Sequence, residues 1–114
     1  MDLPVGVRRL DDRVVVSPSG ELDLYTAPSF QSMLVDLLRE GTERLVVDMS
    51  EVSFCDSSGV NVLLTALKRA RAEGGTVILA GVKQPVSKVF EITGLQRVFV
   101  IHPTAADALA SPEE

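Results

Sequence analysis

Hydrophobic positions along the 114-residue chain alternate between short continuous runs and a helical repeat, and each switch outlines an element. Val5 to Leu10 reads as an edge strand and Arg13 to Ser17 as a valine-rich strand, with Asp11-Asp12 as the turn between them. Pro18, Ser19 and Gly20 interrupt the second strand, which resumes over Glu21 to Leu24 after a bulge or turn. Thr26 then caps a helix whose first turn holds Pro28, where the missing N–H costs nothing. Phe30, Met33, Leu34, Leu37 and Leu38 follow at the spacing of an amphipathic stripe, and Gly41 stops the helix.

Arg44 to Met49 contains Leu45-Val46-Val47, an unbroken apolar run that marks a strand covered on both faces. Val60, Leu63, Leu64, Leu67 and Ala70 repeat the helical stripe from near Gly59, and Gly74-Gly75 ends it. Thr76 to Ala80 is another apolar strand. Val86, Val89, Phe90 and Leu95 suggest a short helix closed by Gly94, and Arg97 to Ile101 a last strand. Pro103 and Thr104 open a final helix in which Asp107 completes a capping box, and the tail 111–114 is expected to fray. This order predicts one α/β domain over 1–114, with its core at about 5–110. Its sheet is mixed but mostly parallel, with four or five strands, right-handed crossovers and about four helices.

The segment Val52-Ser53-Phe54-Cys55-Asp56-Ser57-Ser58-Gly59-Val60 changes the picture from architecture to chemistry. It follows the strand Arg44–Met49 and therefore lies at the C-terminal ends of the strands, where open α/β sheets bind ligands. An acid, two hydroxyls and a glycine there present a serine at a helix N-terminus, whose free N–H groups and dipole favour an anion such as phosphate. A plain helix cap accounts for the same four residues, so the segment by itself leaves both readings open.

Charge and composition narrow the partners. Sixteen acidic residues against eleven basic give a net charge of −5, which disfavours nucleic acid and anionic membrane. One Tyr, four Phe and no Trp leave no stacking face for single strands. Lys68, Arg69 and Arg71 read as the solvated side of a helix. Cys55 is the only cysteine, which excludes an internal disulfide and a cysteine zinc site and reads as a small core residue. No signal peptide and no membrane-spanning run is visible, so a cytoplasmic location is expected.

Enzyme chemistry finds few of its parts. The pattern G-x-S-x-G is absent, and a base for Ser57 would have to be the single histidine, His102, as in a small esterase. Neither metal-ligand spacing nor a phosphate-cradling glycine loop is present, so no cofactor is expected.

Taken in order, Gly20-Glu21-Leu22-Asp23, Leu45-Val46-Val47-Asp48-Met49, Phe54-Cys55-Asp56-Ser57-Ser58-Gly59-Val60 and Val89-Phe90-Glu91-Ile92-Thr93-Gly94-Leu95 resemble the STAS family. They are most similar to its bacterial anti-sigma factor antagonists, from about Val14 to Leu109. The resemblance implies a STAS-like fold and a non-enzymatic, partner-switching regulator of transcription in a stress response. Unphosphorylated, such a protein binds an anti-sigma factor and frees a sigma factor. That anti-sigma factor is also a serine kinase that uses its own ATP and Mg, and a serine phosphatase resets the switch. The resemblance places the phosphoacceptor at Ser57, with Ser58 the runner-up, and the partner-binding and switch region at Asp23, Asp56, Ser57, Ser58, Gly59 and Asn61. Asn61 stands where many relatives have a second glycine. A STAS scaffold or lipid-transport subunit without a phosphoswitch is the alternative that the resemblance leaves.

Overall fold

The computed structural model describes residues 3–111. Strands β1 (Val5–Leu10) and β2 (Arg13–Leu22) form an antiparallel pair turned at Asp11, whose positive φ of 59° suits an aspartate. Then come α1 (Ala27–Arg39), β3 (Arg44–Asp48), β4 (Glu51–Cys55), α2 (Ser57–Ala72) and β5 (Thr76–Ala80). Helix α3 (Val86–Thr93), a 3-10 turn at Leu95–Arg97, β6 (Ile101–His102) and α4 (Ala105–Ala110) complete the chain. The sheet runs β1-β2-β3-β5-β6, with β4 paired to β2, and every pair except β1–β2 is parallel.

Alternation along the central strands builds two cores. Val14, Val16, Leu45, Val47, Val77 and Leu79 face α1, α2 and α3, where they meet Phe30, Leu34, Leu63, Leu67 and Phe90. Val15, Val46, Ile78 and Ala80 face the opposite way and are covered by α4 through Ala108. Burial on both faces is why these strands read as unbroken apolar runs. The predicted stripe of α1 is observed, with Phe30, Leu34, Leu37 and Leu38 buried and Met33 half-buried against the same core. In α2, Val60, Leu63, Leu67 and Ala70 are buried and Leu64 packs beside them.

The expected sheet of four or five strands is corrected to six, because β4 was not legible. Val52 pairs with Gly20 and Phe54 with Glu21, so Ser53 is an extra residue at a β-bulge. The bulge lets Val52 and Cys55, three apart, both turn inward, which erases the period of two that marks a strand. Residues 51–55 therefore form a strand that the spacing did not announce. The serine junction follows β4, not the Arg44–Met49 run, and α2 begins at Ser57 rather than near Gly59.

Other expectations shift locally. Strand β2 continues through Pro18, and the irregularity expected nearby falls between Gly20 and Glu21 in its pairing with β4. The last strand is Ile101–His102 instead of Arg97–Ile101. The N–H groups of Val98 and Phe99 bond back to Leu95, and the Phe99 ring packs edge-on against Phe90, with centroids 5.9 Å apart. Lys68 and Arg71 are exposed as expected, whereas Arg69 is half-buried. Of the tail expected to fray, Ser111 is held by its carbonyl, which accepts from the Arg44 guanidinium; residues 112–114 lie outside the described residues.

Candidate functional site

Leu22 and Cys55 are paired neighbours at the C-terminal ends of β2 and β4, and both are buried. The chain therefore leaves the sheet twice at adjacent points, once into α1 and once into α2. An aspartate follows each exit. Asp23 Oδ1 accepts from the N–H groups of Tyr25 (2.9 Å) and Thr26 (3.1 Å). Asp56 Oδ1 accepts from those of Ser58 (2.8 Å) and Gly59 (3.1 Å), the bonding of a helix N-cap. The second oxygen of Asp56 reaches across to the Leu24 N–H at 3.3 Å, so the two turns are tied together.

The capping of α1 differs from the expectation. Thr26 makes no side-chain cap to its helix. Its buried hydroxyl faces backwards, donating to the Glu21 carbonyl at 2.9 Å and accepting from the Asp23 N–H at 3.0 Å. Asp23 instead fixes the turn that leads into α1, through the N–H groups of Tyr25 and Thr26. At the far end of the chain, Thr104 caps α4 as expected, accepting from the Asp107 N–H at 3.1 Å.

The hydroxyls at the junction differ in access. Ser57 is the first residue of α2 and is exposed, and its hydroxyl makes no hydrogen bond among the described residues. Ser58 is half-buried beside the groove between α1 and α2, which Asn61 also lines. Gly59 is forced by packing. A Cβ there would lie 2.7 Å from both Leu22 Cγ and the Leu22 carbonyl oxygen, and 2.8 Å from Cys55 Sγ. The two helix starts thus bring together the residues expected in the switch region, with Asp23 joined to Asp56 through Leu24.

Cys55 lies beneath this junction as a core residue. Burial, with a smaller contribution from the Asp56 carboxylate, pushes its thiol up to about 12, so the reactive thiolate is suppressed.

Sequence reasoning missed several participants. Thr26 looked like an ordinary cap, and its backward bonding depends on β2 and α1 meeting at that angle. Leu24 and Tyr25 are 63% and 71% exposed beside the switch region, and Phe54 is exposed on β4. Their apolar character was visible; their exposure was not.

His102 is not a partner for the serine. Its strand pairs with β5 alone, so β5 and β3 separate it from β2, whose end adjoins the junction. The His102 Nε2 atom is buried, and among the described residues it has no hydrogen-bond partner. Among the described residues no three His, Cys, Asp or Glu side chains form a metal-binding group, and no helix is long and apolar enough to cross a membrane.

The mixed sheet carries a capped serine junction at paired strand ends, and the family profile for the STAS domain matches residues 5–108. The chain belongs to the STAS domain family. It is 33% identical over 96 residues to the anti-sigma-B factor antagonist of Staphylococcus epidermidis, covering 84% of this chain and 89% of that protein. An anti-sigma factor antagonist from Mycobacterium paratuberculosis superposes with a TM-score of 0.85 at 30% identity, over 94% of this chain and 91% of the other. SpoIIAA, an anti-sigma factor antagonist in its unphosphorylated form, gives a TM-score of 0.81 at 25% identity, over 93% of each chain. STAS anti-sigma factor antagonists are non-enzymatic regulators, and this chain is not an enzyme.

Proposed function

We propose that this protein is a cytoplasmic anti-sigma factor antagonist switched by phosphorylation of Ser57. The observation that carries the reading is the contrast between the two hydroxyls. Ser57 projects unbonded from the first position of α2, whereas Ser58 is half-buried at the groove. The named relatives support the antagonist role, and the description of SpoIIAA as unphosphorylated supports the modification.

In this reading the partner is an anti-sigma factor that is also a serine kinase. The chain itself carries no cofactor; ATP and Mg belong to the kinase. Ser57 Oγ forms the new O–P bond as the bond from the γ-phosphorus to the ADP oxygen breaks, and the hydroxyl proton leaves to a base on the kinase. A serine phosphatase returns the hydroxyl.

The phosphate brings about −1.5 to −2 charges at neutral pH. At the N-terminus of α2 that charge is compatible with the fold, because the helix dipole favours an anion there, even though the Ser58 and Gly59 N–H groups are already taken by Asp56. At an interface the balance reverses. The new charge adds to those of Asp23 and Asp56 on neighbouring turns, and an interface that covers it must strip its water. A loss of about 3 kcal/mol weakens association more than about a hundredfold, enough to eject a partner without rebuilding the domain.

The test is the affinity of the wild-type protein, Ser57→Ala and Ser57→Asp for the anti-sigma kinase, together with mapping of the phosphopeptide. Ser57→Ala should bind like the unmodified protein and resist phosphorylation, and Ser57→Asp should bind poorly. Modification at Ser58 alone, or equal affinities for the two variants, would overturn the reading.

A further inference from the structure

The groove between α1 and α2 begins at Ser58 and has a volume of about 500 Å³, within the range of recognition pockets. Leu24 and Pro28 supply apolar surface above the buried Val62, and Gln31, Asn61 and Ser58 supply polar atoms. None of its lining residues is charged, although the protein as a whole carries −5. Grooves elsewhere on the molecule do carry charge. Arg9, Asp36 and Glu40 line the one between β1 and α1, and Arg8 and Asp48 line the one beside α4.

Two further features bear on what the groove can hold. Gln31 and Asn61 make no side-chain hydrogen bond among the described residues, which leaves two carboxamides able to donate and accept. The groove is also continuous with the switch, since Leu24 lines it and donates its N–H to Asp56.

We infer that this groove selects the partner, by taking one uncharged segment of the anti-sigma factor in which an apolar side chain sits against Leu24 and Pro28 while Gln31 and Asn61 bond its peptide groups. The inference rests on the function proposed above and assigns that interface two separate parts. Ser57 decides whether the partner stays; the groove decides which partner fits. Peptide groups inside a helix are already paired, so the segment read by the carboxamides is extended or is a helix end. A charged segment is disfavoured, because the groove offers no opposite charge to replace the water it would lose.

The test compares the wild-type protein, the double variant Gln31→Ala/Asn61→Ala and Ser57→Asp. Each is titrated with the anti-sigma kinase that phosphorylates Ser57 and with one that does not, at low and high salt. Thermal melting confirms that the double variant folds. It should lose about tenfold or more in affinity for the first kinase, in the manner of an interface anchor, and gain no salt dependence. The weakening caused by Ser57→Asp should shrink as salt screens the charge. An unchanged affinity in the double variant overturns the groove assignment, while the Ser57→Asp titration still reports separately on the phosphoswitch. A wild-type dimer in sedimentation that becomes monomeric in the double variant also overturns it, by placing a second copy in the groove. If the wild-type protein binds neither kinase, the proposed function and the groove assignment fall together.

Discussion

Asp56 is hydrogen-bonded to the backbone of Leu24, 32 residues earlier, through the carboxylate oxygen that its own helix leaves free. One side chain therefore caps α2 and fixes the turn that leads into α1. A charge change at Ser57 next door acts on a group that already joins the two helix starts. Replacing Asp56 by Ala should destabilise the protein by about 1–2 kcal/mol through loss of the cap, and Asn, which keeps an acceptor, should cost less. Urea denaturation of both variants measures this, and equal, negligible losses would remove the capping role.

Thr26 is a second tie, and a less obvious one. Its hydroxyl is buried between the Glu21 carbonyl and the Asp23 N–H. Thr26→Val keeps the shape but strands both backbone groups, at an expected cost of about 1–3 kcal/mol. Thr26→Ser keeps the hydroxyl and should recover most of that loss. Comparison of their unfolding midpoints decides the matter; a serine variant no better than valine would point to packing alone.

Gly59 should tolerate no side chain. With contacts of 2.7 to 2.8 Å awaiting a Cβ, Gly59→Ala must push α2 away from the ends of β2 and β4. Alanine is otherwise the better helix former by about 1 kcal/mol, so the sign of the measured change is informative. We expect net destabilisation of about 1–3 kcal/mol from overpacking, and a stabilised variant would show that the junction yields easily.

Cys55 gives a prediction in pH. Its folded thiol sits near 12, above the usual value of 9.0. Between those values the unfolded chain has lost the proton while the folded protein keeps it, so stability falls as pH rises through that window and is unaffected by this group below it. Unfolding curves at pH 8 and 10.5 should differ less in Cys55→Ala than in the wild-type protein. Native protein at pH 8 should also react with a thiol reagent far more slowly than the unfolded chain, and equal rates would contradict the burial of the thiol.

Much of the fold was legible because its signals are local. The stripe of α1 and the doubly buried run of β5 follow from spacing within one element, and they are observed where the spacing placed them. Cys55 as a core residue followed from its place beside Phe54, just ahead of the junction. Strand β4 was hidden because its bulge at Ser53 exists only in register with Gly20 and Glu21 of a distant strand. The final strand was displaced because Phe99 packs onto Phe90 rather than extending the ladder.

For the site, the sequence by itself determined the residue types at the junction and, through their order along the chain, the family to which they belong. Tertiary structure decided their relations. Pairing of β2 with β4 brings Asp23 and Asp56 to adjacent exits, leaves Ser57 exposed and Ser58 half-buried, and opens the groove that Gln31 and Asn61 share. A spacing pattern reports which way a side chain turns on its own helix or strand. Whether that side chain then meets solvent, a carbonyl or another helix depends on packing between segments far apart in the chain.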